Sequence, residues 1–290
     1  MRVPDEVLVV VRDEDSETRD LLAKLKDEKR LSQTLRAVEV ETPGTVAAMN
    51  AGLAAAEGDI IAFTNDDAVA HPDWISRIEE HFRADTELGG VGGRDWIRYG
   101  DQVNDGTRET VGKVRWFGRT IADHHLGVGG PREVDILKGV NMSYRRAAFR
   151  DIRFDERLLM AGGVHPMEDY LFSMKVKRAG WKLLYDPAVA VDHYQTPRLE
   201  GHRSFKAGQQ MFDSRTVTNR VHNHTLMLLE CFSPLQRVGF MLWAFLIGSR
   251  NAFGLAQWLR FSPSEGRVAW DKLRAAASGR LKGYRTWRHG

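Results

Sequence analysis

Over the first 200 residues of this chain, short β-rich apolar runs alternate with segments of helical periodicity, and that alternation constrains the fold most strongly. Such an order builds an α/β domain around a sheet, because each connecting helix must cover a face of the strands it joins. Glu6 to Arg12 (EVLVVVR) reads as a buried strand, followed by a helix from about Glu17 to Lys29 and a strand near Arg36 to Val40. Pro43-Gly44 turns the chain into an Ala-rich helix that Gly58 closes, and Asp59 to Thr64 (DIIAFT) is the next strand. Pro72 opens a helix, Asp73 to about Ala84, with Trp74, Ile75, Ile78 and Phe82 on one face. Gly89 to Gly130 reads as strands joined by long loops. Val134 to Leu137 is expected as a strand, Arg145 to Arg150 as a short helix, Glu168 to Ala179 as a helix closed by Gly180, and Lys182 to Asp192 as the last strand.

Beyond Tyr194 the strand pattern ends, which divides the chain into an α/β domain over 1–200 and a helical, basic region over 201–290. Two helix starts are marked there by the same device, Ser233-Pro234-Leu235-Gln236 and Ser262-Pro263-Ser264-Glu265. Each has Ser as cap, Pro at the first helical position and Gln or Glu reaching back. The positive charge is concentrated at this end. Arg260 to Gly290 holds eight Lys or Arg and two acids, so the preceding residues are net acidic in a chain of formal charge +3. That distribution, without a basic motif interleaved with aromatics, argues against nucleic acid and favours membrane phosphate as the tail's partner. The apolar run Val238 to Ser249 would rise about 18 Å as a helix against a hydrocarbon core of about 30 Å, so it suits the membrane surface rather than a span. Phe240, Met241, Leu242, Trp243, Phe245 and Leu246 would supply the apolar side, with Trp270, Tyr284 and Trp287 beyond. Packing on the α/β domain or a dimer contact is the competing reading. A lone Cys231 forms no intrachain disulfide, and the polar opening at Met1 to Glu6 carries no export signal, so a cytoplasmic, peripheral location is expected.

Three constellations could carry chemistry. Asn65-Asp66-Asp67 stands where the DIIAFT strand stops, and carboxylates at the carboxyl end of a sheet project into the crevice where α/β folds bind ligands. A divalent cation on a diphosphate takes one or two such carboxylates; a solvated turn before the helix at Pro72 is the equal alternative. Glu168-Asp169, after His165-Pro166-Met167, opens a helix whose dipole favours acids as such and would also keep a carboxylate ready to accept a proton. His193 closes the last strand, where a neutral imidazole could ligate a metal given partners from elsewhere. His124-His125 reads as a solvated loop pair, and Gly89-Gly90-Val91-Gly92-Gly93 as a strand permitting close backbone approach rather than a phosphate loop.

Taken together, the segments PGTVAAMNAGL from Pro43 to Leu53, GDIIAFTNDDA from Gly58 to Ala68, LKGVNMSYRR from Leu137 to Arg146, Glu168-Asp169 and Asp192-His193 resemble the inverting family 2 glycosyltransferases of the GT-A fold. The resemblance implies a divalent metal, Mn²⁺ or Mg²⁺, held by Asp67 and His193 on a nucleoside-diphosphate sugar, with Asp66, Asn65 and Asp13 on the donor side. It implies Asp169 as the base that deprotonates the acceptor hydroxyl, with Glu168, Asn141 and Trp96 on the acceptor side and a glycan or lipid-linked acceptor. The family's first strand-helix unit, whose strand lies mid-sheet, has no counterpart before Glu6. A sugar-nucleotide-binding or scaffolding protein of the same fold, impaired in turnover, is therefore the second expectation.

Overall fold

Residues 2–27, 34–100, 102–161, 166–194 and 212–290 are described in a computed structural model. Within them the alternation becomes strands and helices in the expected order. Strand β1 (Val7–Arg12) and helix α1 (Ser16–Asp27) lead to β2 (Leu35–Val40), which pairs parallel with β1 in a sheet of two. Helix α2 (Thr45–Ala55) then enters the larger sheet, made of β3 (Ile60–Phe63), β4 (Ala68–Ala70), β5 (Leu88–Tyr99), β6 (Met142–Arg145) and β7 (Lys182–Tyr194) in the order β3-β6-β5-β7-β4. The pair β5 and β7 runs parallel; β6 and β4 are antiparallel to their neighbours. Two-residue strands Gln102–Val103 and Arg132–Glu133 extend this sheet. Lys29, His165 and the boundary near residue 200 lie outside the described residues.

The Gly-rich opening of β5 behaves as its composition suggests. A Cβ on Gly93 would stand 1.7 Å from the Val189 carbonyl oxygen, so only glycine lets β7 bulge this close to the central strand. Helix α3 (Trp74–Ala84) buries Trp74, Ile78 and Phe82 against Val91, Val140 and Val189. The expected strand at Val134 to Leu137 is displaced. Arg132–Glu133 pairs with β7, and Val134, Ile136 and Leu137 follow as buried, irregular chain, since apolar content without alternation signals burial and not pleat.

Helix α4 (Glu168–Arg178) packs Leu171, Phe172 and Val176 into the main core. That core is shared with the C-terminal helices α5 (Ser214–Cys231), α6 (Pro234–Leu246), α7 (Leu255–Glu265) and α8 (Arg267–His289): Leu226, Met227, Phe232 and Phe240 join Leu137 and Phe154 in one cluster. Each fully buried Leu or Phe contributes roughly 1.5–3 kcal/mol, so residues after 212 help hold the sheet domain together.

The Ser233 capping box forms as read, its hydroxyl accepting from the Gln236 amide and the Gln236 side chain accepting from the Ser233 amide. Ser262 does not start a helix. It lies with Pro263 inside α7, and the chain breaks at Gly266, whose left-handed φ of 54° glycine adopts without a Cβ penalty.

Five of the tail's nine expected interfacial residues point inward. Phe240 is buried, Met241 and Trp243 pack on the core, and Tyr284 and Trp287 lie against it. Leu242, Leu246 and Trp270 are exposed. Leu235, Val238, Leu242 and Leu246 form the exposed stripe of α6, continued by Ile247, Leu255 and Leu259. No helix among the described residues is long and apolar enough to cross a membrane.

Candidate active site

The site grows from the carboxyl ends of the central strands. The Asn65-Asp66-Asp67 turn runs directly into β4, which pairs antiparallel with the end of β7 so that Ala68 lies opposite His193. The Tyr194 amide donates to the Asp67 carbonyl at 2.7 Å, locking that junction. Asp67 Oδ1 therefore stands 3.2 Å from His193 Nε2. On β5, parallel to β7, Asp95 presents Oδ2 at 3.7 Å from His193 Nδ1. Asp95 is fully buried, and it also accepts a hydrogen bond from the Lys138 ammonium. Burial alone would raise the Asp95 pKa, but the adjoining imidazole and ammonium outweigh it and hold the carboxyl below its ordinary range.

One residue after Lys138, the Gly139 amide donates to Asp169 Oδ2 at 2.9 Å, and the Tyr170 amide donates to Asp169 Oδ1 at 2.8 Å. Asp67, His193, Asp95, Lys138, Gly139 and Asp169 thus form one unbroken wall. Desolvation pushes both Glu168 and Asp169 above the usual carboxylate range; the Asp169 charge adds to the rise at Glu168, while the two amide bonds restrain it at Asp169. A carboxylate so placed is a better proton acceptor at neutral pH than a solvated one. The helix carrying it starts under strain. Met167, just before Glu168, holds a left-handed φ of 75° without being glycine, at a cost of order 1–3 kcal/mol.

The pair Asp67 and His193 fits a divalent cation. Asp67 Oδ1 is buried without a hydrogen-bond partner, and an orphaned carboxylate oxygen beside an imidazole nitrogen is an O/N donor set of the kind Mn²⁺ accepts. Among the described residues no third His, Cys, Asp or Glu completes a cluster.

The other expected residues separate. Asn65 and Asp66 are exposed at the mouth of the turn beside Asp67. Asp13 is exposed at the end of β1, in the two-stranded sheet. Asn141 is buried and its amide is spent inside the protein. Nδ2 donates to the Arg94 and Val189 carbonyls and Oδ1 accepts from the Trp74 indole, which makes it a strut between strands with no edge left for an acceptor. Trp96 alternates away from Asp95 along β5 and carries the Arg94 guanidinium 3.6 Å from its ring centroid, so it stands apart from the wall. The pair His124-His125 also departs from the solvated reading. His124 is buried, donates from Nε2 to the Ile136 carbonyl at 3.0 Å, and is held down at about pKa 4 by burial.

Two members of the wall, Asp95 and Lys138, were not singled out by motif. Their signal was a charged residue within an otherwise apolar, Gly-rich strand (LGGVGGRDWI) and another opening the LKGVN segment. A polar residue buried by such a strand needs a partner, and here each is the other's.

With this geometry in place, the comparisons decide the family. The family model described as "Glycosyltransferase like family 2" matches residues 1–211. The chain belongs to glycosyltransferase family 2. No curated protein matches its sequence. Solved structures share the fold at low identity. GalNAc-T7 with UDP, GalNAc and Mn²⁺ is 15% identical with a TM-score of 0.57 over 97% of this chain and 48% of that one. The mannosyltransferase PcManGT from Pyrobaculum calidifontis, in complex with GDP-Man and Mn²⁺, is 17% identical with a TM-score of 0.54 over 98% and 74%. S. aureus TarS 1-349 in complex with UDP-GlcNAc is 16% identical with a TM-score of 0.56 over 98% and 80%. This family 2 chain therefore has the GT-A fold, and it spans about half the length of GalNAc-T7.

Proposed function

We propose that this family 2 protein is a metal-dependent, inverting hexosyltransferase that moves a sugar from a nucleoside-diphosphate donor to a hydroxyl of a glycan or lipid-linked acceptor. The observation that carries this reading is the continuity of the wall from Asp67 to Asp169, which sets a cation-binding pair and a proton acceptor along one crevice. The neighbours solved with UDP, GDP-Man or UDP-GlcNAc support the donor class. Asp67 and His193 would hold Mn²⁺ or Mg²⁺, and the cation when bound neutralises charge on the departing diphosphate. Asp66 and Asn65, exposed beside Asp67, suit contacts to the donor's sugar or ribose, while Asp169 takes the proton from the acceptor oxygen as that oxygen attacks the anomeric carbon. Glu168, next to it and also desolvated, suits an acceptor hydroxyl. Residues 1–200 would form the catalytic unit and 201–290 the helical region that completes its core.

The C-terminal helices suit an anionic membrane on the cytoplasmic face. Residues 231–264 contain no Asp or Glu, and Arg237, Arg250 and Arg260 accompany the exposed stripe Leu235, Val238, Leu242 and Leu246. A sugar-nucleotide-binding protein without turnover is the second reading, favoured by one observation: among the described residues β1, which Asp13 follows, pairs only with β2 and not with the larger sheet. Product analysis by NMR separates the two. Transfer from an α-linked donor to a β-linked product supports inversion, retained configuration removes it, and donor binding without product favours the second reading.

A further inference from the structure

The described chain just before α4 bears on where Glu168 and Asp169 stand, and asparagines from two distant elements hold it at Phe154, Leu159 and Pro166. Asn50 of α2 brackets Phe154, donating to its carbonyl and accepting from its amide, both at 3.0 Å. Asn223 of α5 is fully buried and grips further on. Its Oδ1 accepts from the Leu159 amide at 2.8 Å, and its Nδ2 donates to the Leu159 carbonyl at 2.8 Å and the Pro166 carbonyl at 2.9 Å. The last of these holds the residue immediately before Met167, whose left-handed backbone opens α4.

The grip is itself braced from behind. His222 Nδ1 lies 2.8 Å from Asn223 Oδ1 and His222 Nε2 lies 2.9 Å from the Thr286 hydroxyl of α8. Since a carboxamide oxygen only accepts, the network assigns the proton to Nδ1, and Nε2 then accepts from Thr286. Both donors and both acceptor positions of the Asn223 amide are thereby used. One turn away, Asn219 donates to the Met160 carbonyl at 2.7 Å. A residue needed only to fill the core would not require a fully committed amide aimed at two separated points of one connection.

We infer that Asn223 is a positioning residue for the acid pair. It fixes the backbone that sets Glu168 and Asp169 beside Gly139, so α5, and α8 through His222, belong to the active-site architecture. The inference deepens the reading of Asp169 as base and rests on it for its kinetic consequence.

The test uses the full chain with Asn223→Ala and the milder Asn219→Ala. Three measurements are made: hydrogen exchange at the Leu159, Tyr170 and Leu171 amides, Mn²⁺-dependent nucleotide binding, and the pH dependence of kcat. In Asn223→Ala, exchange at these amides is expected to quicken at least tenfold, kcat to fall at least tenfold with a higher acceptor KM, and the acid limb of the pH profile to move, while nucleotide binding stays within twofold. Asn219→Ala should move the same quantities in the same direction by a few-fold. Should Asn223→Ala fail to fold, Asn219→Ala alone decides. Unchanged local exchange, or unchanged kcat and pH profile despite faster exchange, overturns the inference. Failure of the base reading looks different: Asp169→Asn would then remain active, whatever exchange shows at Leu159.

Discussion

The wall along the strand ends and the outward face of α6 and α7 treat their side chains in opposite ways. In the wall, Asp95, Lys138 and Asp169 are tied to one another's neighbours, and burial is balanced by hydrogen bonds and charge. On α6, Leu235, Val238, Leu242 and Leu246 are exposed at helical spacing, although Phe240 and Ala244 of the same helix are buried in the shared core. A polar cluster that is committed internally is preorganised for chemistry, whereas an apolar stripe with no internal partner is available to something outside. The contrast predicts that changes in the wall act on turnover and metal, and that changes on the helix face act on neither.

The largest effect is expected at the base. Asp169→Asn should lower kcat by about 10²–10⁴ with nucleotide binding intact, measured by single-turnover transfer and calorimetry. Wild-type turnover should also fall as pH drops through the Asp169 pKa. Because desolvation raises that pKa, the acid limb of the pH-rate profile should lie above the ordinary aspartate value of about 3.9. A limb at or below that value would reassign the base.

Next is the cation pair. Asp67→Asn should weaken Mn²⁺-dependent nucleotide binding by about 100-fold or more. Asp95→Asn, acting behind His193, should weaken it by about 10–100-fold, and Mn²⁺ titration by EPR compares them. Equal, small effects would dissolve the distinction between ligand and support.

The helix face should respond only to membranes. Replacing Leu242 and Leu246 by Ser should reduce flotation with anionic vesicles by roughly tenfold or more, from about 1.5–3 kcal/mol per side chain fully buried. Transfer to a soluble acceptor should remain unchanged. Lost transfer would mean that this face packs within the enzyme.

Much of this molecule was legible in its sequence because period and punctuation are local. The DIIAFT strand, the Trp74-Ile78-Phe82 face and the Ser233 capping box need only neighbours within a few residues. The placement of Asp67 and His193 at strand ends was local too, while their pairing was implied by the family resemblance alone. What stayed hidden depends on long-range pairing. Asn141 carries no mark that its amide would be consumed by Trp74, Arg94 and Val189, and Ser262 has the full chemistry of a cap although Gly266, four residues on, makes the break. His124 looks like loop until the folded chain buries it beneath the Ile136 carbonyl. Phe240 and Leu242 are indistinguishable in an apolar run, and only the position of the core separates them.

The central claim is that the wall binds a nucleoside-diphosphate sugar through a cation at Asp67 and His193. Thermal unfolding against a panel of nucleotide sugars, with and without Mn²⁺ and repeated in Asp67→Asn, tests it most directly. At 100 times the dissociation constant a ligand adds about 2.7 kcal/mol, a rise of roughly 5 °C or more for a chain of this size. The account predicts such a rise for one nucleotide class, dependent on Mn²⁺ and lost in Asp67→Asn; a flat panel from the folded chain, or a rise indifferent to both metal and substitution, would contradict it.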